Sequence, residues 1–176
     1  IDIGVTAGGA VFDLMNLHES YEQSIEVQRY NETFAKKVST YYEIADGEEL
    51  YYYPVKFDDQ IINCILTGRA DEAKKIISKV YNENFDSANL SVIAANAIRE
   101  RIINNLRFLG KRCGLSKEII DEIYDLNSID VFFNRIYKLI DEICIEKKDS
   151  RNEVPLKIMN YVKENYSDQT ISLKKI

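Results

Sequence analysis

The stretch that decides the fold is Asn89-Leu90-Ser91-Val92-Ile93-Ala94-Ala95-Asn96-Ala97-Ile98-Arg99-Glu100-Arg101-Ile102-Ile103-Asn104-Asn105-Leu106-Arg107-Phe108-Leu109-Gly110-Lys111-Arg112. Within it Leu90, Ile93, Ala94, Ala97, Ile98, Ile102, Leu106 and Leu109 recur at spacings of three and four, the period of one helical face. The run is too long for a strand and predicts one helix over 89–112, with Gly110 and Gly114 as its stops. A helix with such a stripe must bury it against something. The stripe therefore predicts helical neighbours, and it also offers a surface for dimerisation.

Those neighbours are legible on both sides. Residues 58–66 carry Ile61, Ile62, Ile65 and Leu66 before Gly68; residues 70–81 repeat the pattern with Ala73, Ile76, Ile77 and Val80. After Gly114, Ser116-Lys117-Glu118 opens a helix reaching Leu126, and residues 128–146 form the next, with Val131, Phe132, Ile136, Leu139, Ile140 and Ile143 inward. Short joints between these segments predict antiparallel packing. Lys147-Lys148-Asp149-Ser150-Arg151-Asn152-Glu153 is uniformly polar and reads as a linker. Pro155 then suits the first turn of a new amphipathic helix over 154–166, with Ile158, Tyr161 and Val162 on one side. Ser167-Asp168-Gln169-Thr170 breaks it, and Ser172 is placed to cap another helix.

The first 53 residues differ in character. Ile1 to Val5 alternates like a short strand, Gly8-Gly9 breaks it, and residues 12–37 carry a helical pattern with Leu14, Leu17, Tyr21, Ile25 and Gln28 on one face. Tyr41-Tyr42-Glu43-Ile44 and Leu50-Tyr51-Tyr52-Tyr53 flank Asp46-Gly47 and predict a β-hairpin ended by Pro54. The expected architecture is α+β, mostly α: a short strand and hairpin portion over 1–53, an antiparallel helical bundle over 54–147, and a linker with further helices over 148–176.

Composition bounds what such a chain does. The 176 residues are 45% hydrophobic and 30% charged, an ordinary globular balance. The net charge of −6 gives no general field for nucleic acid, yet it is uneven. From Lys147 onward there are seven Lys or Arg against four Asp or Glu, a balance of +3, which leaves −9 on the remainder. Cys64, Cys113 and Cys144 are odd in number, widely spaced and set in apolar stretches, so they predict reduced thiols in a cytoplasmic setting, with neither a disulfide framework nor a zinc site. No apolar run reaches the roughly 18 residues of a membrane span.

A search for chemistry finds little. His18 is the single histidine and has no metal-pairing neighbour. Gly4-Val5-Thr6-Ala7-Gly8-Gly9 lacks the Gly-Lys-Ser/Thr end of a phosphate loop and reads as a turn. The adjacent carboxylates Asp58-Asp59 and Asp121-Glu122 diverge on a helix and suit first-turn positions. Tyr41, Tyr51, Tyr52 and Tyr53 are the candidate ligand or interface residues. No enzyme activity, cofactor or metal is expected.

The segment Leu156 to Ile176 resembles the opening of the DNA-binding domain of AraC/XylS-type transcription regulators. The match lies in Tyr161-Val162-Lys163-Glu164-Asn165-Tyr166-Ser167-Asp168 followed by Ile171-Ser172-Leu173. Tyr51-Tyr52-Tyr53-Pro54, Ile61-Ile62-Asn63 and the joint from Gly68 to Ala73 resemble the helical connector that precedes this domain in a subgroup of membrane-tethered sensors and response regulators. Ile3-Gly4-Val5 followed by His18-Glu19-Ser20-Tyr21-Glu22-Gln23-Ser24 resembles the end of a degenerate GGDEF-like module. The sequence holds no Gly-Gly-Asp-Glu-Phe signature, so diguanylate cyclase activity is not implied. The three stretches occur in the order of that subgroup. The resemblance implies a regulatory and connecting piece that stops as the helix-turn-helix domain begins, with DNA as the parent's partner through that domain and a homodimer as a further expected partner. A small-molecule sensor walled by the tyrosines, or a helical interaction scaffold unrelated to DNA, are the alternatives.

Overall fold

The computed structural model describes residues 4–86 and 90–165. The chain is α+β and mostly α, and its strands lie near the N-terminus. Strand β1 (Val5–Ala7) leads through a 3-10 turn (Leu14–Asn16) into α1 (Leu17–Phe34), which returns the chain to β2 (Val38–Thr40). The strands are parallel, with Val5 opposite Val38 and Ala7 opposite Thr40, so α1 is the crossover that a parallel pair requires. Residues 1–3, which fall within the expected first strand, lie outside the described residues.

The expected hairpin is not formed. Tyr41–Ile44 is instead a short helix, α2, because Thr40 and Glu43 make a capping box: the Thr40 amide donates to Glu43 Oε2 at 2.9 Å. The stretch 50–53 forms no strand, and among the described residues the nearest ladder contact is a single bridge between Glu48 and Leu90.

Helix α1 also turns a different face inward than its hydrophobicity predicts. Leu14, Leu17 and Tyr21 are 86%, 59% and 65% exposed, whereas Val27, Asn31 and Thr33 are buried. Gly8 explains the rotation. A Cβ on it would lie 1.9 Å from the Ser20 carbonyl oxygen, so the loop after β1 lies against the Ser20 side of the helix. The Gly9 amide then donates to Gln23 Oε1 at 2.7 Å. Close approach selects small and polar residues here, and the apolar side is left outward.

The bundle consists of α3 (Lys56–Leu66), α4 (Ala70–Tyr81), α5 (Val92–Cys113), α6 (Lys117–Tyr124) and α7 (Ile129–Asn165), with a π-helical turn (Asn82–Asp86) after α4. Gly68, at φ 72°, ends α3 in a Schellman motif: Gly68 N donates to Ile65 O and Arg69 N to Cys64 O. Ser91 caps α5 through Ala94 N, and Gly114 at φ 71° stops it, so the helix runs straight through Gly110. The core is built from Phe57, Ile61 and Ile65 on α3, Ala73, Ile77 and Val80 on α4, Ile98, Ile102, Leu106 and Leu109 on α5, Ile120 and Ile123 on α6, and Phe132, Phe133, Ile136, Leu139, Ile140 and Ile143 on α7.

Two positions depart from the expected stripes. Ile93 is 72% exposed and Val131 is 51% exposed, while Ala95, Ile103 and Phe133 are buried in their place. Helix α5 is flanked by α3 and α6, so its buried surface is wider than one stripe and is centred away from Ile93. The six aliphatic residues Leu90, Ala94, Ile98, Ile102, Leu106 and Leu109 are consumed by the core, which removes that stripe as a dimer surface.

The expected break at 147–153 is absent. Helix α7 continues through it, and through Pro155, to Asn165. The run contains no Gly, and four of its seven residues are Lys, Arg or Glu, all good helix formers, so polarity alone did not mark a loop. At 1.5 Å per residue α7 is about 55 Å long. The expected turn over 167–170 and the helix capped by Ser172 lie outside the described residues. No helix among the described residues is long and apolar enough to cross a membrane.

Candidate functional site

The four tyrosines do not form one wall. Tyr53 is buried and belongs to a polar network inside the bundle. Its hydroxyl donates to Asp58 Oδ1 at 2.8 Å, its ring lies 4.0 Å beneath the Arg101 guanidinium, and its carbonyl accepts from Arg101 Nη1 at 3.2 Å. Arg101 also donates to Asp58 Oδ2 at 2.5 Å, and Asn105 donates to Asp58 Oδ1 at 2.8 Å. Burial works against the Asp58 carboxylate, but the hydrogen bonds from Arg101, Asn105 and Tyr53 outweigh it and hold its pKa below the ordinary value. Burial first, and then the hydrogen bond to Asp58, push the Tyr53 phenol well up.

Tyr52 is pinned through its backbone. Buried Asn84 accepts from Tyr52 N at 2.7 Å and donates to Tyr52 O at 2.9 Å and to Val80 O at 2.6 Å, serving as the ladder partner that a strand would supply. The Tyr52 ring sits 5.6 Å from Lys79 Nζ. Tyr51 is at the surface. Tyr41, on α2, lines a crevice between α1 and the start of α5. His18 is exposed, with Nε2 3.4 Å from Glu22 on the next turn.

That crevice is the site the tertiary structure assembles. Two cavities of about 320 and 350 Å³ share Arg29 and Val92. The first is closed by Tyr30, Tyr41 and Ile44; the second lies between Thr33 of α1, Asn96, Arg99 and Ile103 of α5, and Tyr124 and Asn127. Arg99 organises the far wall. It donates to Asn96 Oδ1 at 3.3 Å, to the Tyr124 carbonyl at 3.0 Å and to the Leu126 carbonyl, and so ties the α6–α7 joint to α5. Burial lowers its pKa from the usual arginine range.

An aromatic chain leads from this crevice to α7. Tyr30 stacks on Phe34 at 4.6 Å, Phe34 meets Phe85 of the π turn at 6.3 Å, Phe85 meets Phe133 at 5.7 Å, and Phe133 meets Phe132 at 5.5 Å. The Arg99 guanidinium lies 5.2 Å from the Phe132 ring, closing the path back to the cavity. Tyr81 joins through Phe85 and Phe133, and its hydroxyl donates to Asp130 Oδ1 at 2.7 Å; that hydrogen bond, with burial, pushes its pKa up to about 12.

Sequence reasoning missed Arg29, Arg99, Arg101, Asn84 and Asn105. The signal for the last four was a charged or amide residue inside or beside an apolar stripe, which predicts a buried polar partner. The Thr40-x-x-Glu43 box was equally visible as a helix start. No family model matches this chain, and no curated protein or solved structure matches it.

Proposed function

We propose that this chain is the regulatory and connecting part of an AraC/XylS-type transcription regulator, relaying a signal or a change of dimer state to a helix-turn-helix domain that reads DNA. The observation that carries the reading is the continuity of α7 from Ile129, buried in the bundle, to Asn165. The residues Tyr161 to Asn165, which resemble the first helix of that DNA-binding domain, therefore lie on the same helix as the bundle core. A shift of α7 in the bundle reaches them without a flexible joint in between. The order of the three resembling stretches supports the same reading, as does the local positive balance after Lys147.

The test uses the regulator as encoded, with a promoter reporter and a gel-shift assay. Inserting Gly-Gly-Gly after Arg151 is expected to abolish the regulated difference in transcription while leaving operator affinity within about threefold of wild type. The chain 1–176 alone is expected to show no sequence-selective DNA binding. An unchanged regulatory response in the insertion variant, tight selective binding by 1–176, or a coding sequence without a helix-turn-helix pattern would overturn the proposal.

A further inference from the structure

We infer that the crevice between α1 and α5 binds a small oxyanion, a carboxylate or phosphate compound held between Arg29 and Arg99. The inference deepens the regulatory reading above by naming the chemistry of its signal. Arg29 and Arg99 both line one cavity of about 350 Å³, large enough for a metabolite-sized ligand. Arg29 makes no hydrogen bond or ion pair among the described residues. Every oxygen that Arg99 reaches is neutral: an amide of Asn96 and the carbonyls of Tyr124 and Leu126. Its Nε is buried and has no hydrogen-bond partner among the described residues.

Glu32 and Glu100 line the same cavity, and each carboxylate has another partner. Glu32 accepts from Gln28 Nε2 at 3.0 Å, and Glu100 lies 3.8 Å from Arg107. The cavity thus holds two arginines and two carboxylates, yet neither carboxylate hydrogen-bonds either arginine, whose donors remain open to a ligand over the apolar side chains of Val92 and Ile103. A bidentate arginine contact is the strongest recognition available to an oxyanion in such a place, and a carboxylate or phosphate with a short apolar body fits both features.

The location gives binding a consequence. Arg99 holds the α6–α7 joint and lies over Phe132 of α7, while Arg29 rides on α1. An anion bridging the two arginines draws α1 toward α5 and competes with the Arg99 to Phe132 contact. Either change alters the seating of α7, which the proposed relay then transmits.

The experiment is ligand-dependent thermal stability and calorimetry on the chain with two probes, inorganic phosphate and succinate, each against sodium chloride at matched ionic strength. Stabilisation by one probe is expected to saturate, as binding to the folded state requires, and the probe that saturates identifies the source of the oxyanion. Arg29→Gln is expected to keep the ligand-free melting temperature and weaken binding about tenfold or more, the size of one charge-assisted hydrogen bond. Arg29→Lys is expected to recover part of that loss, and Arg112→Gln, which removes an exposed cation elsewhere, to bind as tightly as wild type. Absence of saturation with both probes, or an Arg29→Gln response equal to wild type, would overturn the inference. Neither result touches the relay, which the insertion in α7 tests separately.

Discussion

Arg101 and Asp58, 43 positions apart, meet at 2.5 Å between Nη2 and Oδ2, and this pair joins α5 to α3 at the point where the chain enters the bundle. The other Asp58 oxygen accepts from both Tyr53 and Asn105, so the carboxylate is fully engaged. Asp58→Ala leaves Arg101 and Asn105 facing an empty acceptor and is expected to cost about 3 kcal/mol in urea unfolding.

The same carboxylate sets an acid dependence. Its folded pKa is depressed, so its contribution is complete above its unfolded value of about 4 and is lost as the pH falls through the folded value. Wild-type stability measured from pH 6 downward should therefore fall below about pH 4, and Asp58→Asn should flatten that fall. Equal slopes for the two proteins would refute the assignment.

Helices α1 and α3 end alike, with one difference. Lys36 N donates to Asn31 O as Arg69 N donates to Cys64 O, but the left-handed position is Ala35 at φ 52° in one and Gly68 at φ 72° in the other. Ala35→Gly is expected to raise stability by about 1 kcal/mol, and Gly68→Ala to lower it by at least as much. Chemical denaturation of the two variants checks both signs.

Asn31 is 7% exposed, and neither polar atom of its amide finds a partner among the described residues. Such a group costs stability of order 1–3 kcal/mol. Asn31→Leu is expected to raise the melting temperature without altering the circular dichroism of the fold. A lowered melting temperature would show that the amide has a partner in solution.

Phe85 is the link between α1 and α7, touching Phe34 on one side and Phe133 on the other. Phe85→Ala is expected to cost about 3 kcal/mol through the cavity it leaves. A double-mutant cycle between Phe34 and Phe133, which do not pair directly, is expected to show coupling of about 0.5 kcal/mol that vanishes in the Phe85→Ala background.

The bundle was largely readable because its signal is local. Ile61, Ile65, Ala73, Ile77 and Val80 are buried where their spacing places them, and so are Ile98, Ile102, Leu106 and Leu109. The failures have physical causes. The hairpin expectation weighed tyrosine's strand preference and overlooked the Thr40 to Glu43 cap, a stronger local instruction. The expected linker was read from polarity, although Lys147, Lys148, Arg151 and Glu153 are good helix formers and no Gly interrupts them.

What the sequence by itself determined is the helical bundle and its order, since a repeat of three and four residues specifies an element and the face it buries. What only the tertiary structure decided is which side of α1 turns inward and which arginines line the crevice. Gly8 sets the first through a close approach to Ser20, a contact between two segments and not a property of either. The place of Arg29 beside the cavity that Arg99 also lines follows from that rotation: two cations 70 positions apart carry no mutual signal until packing places them around one cavity.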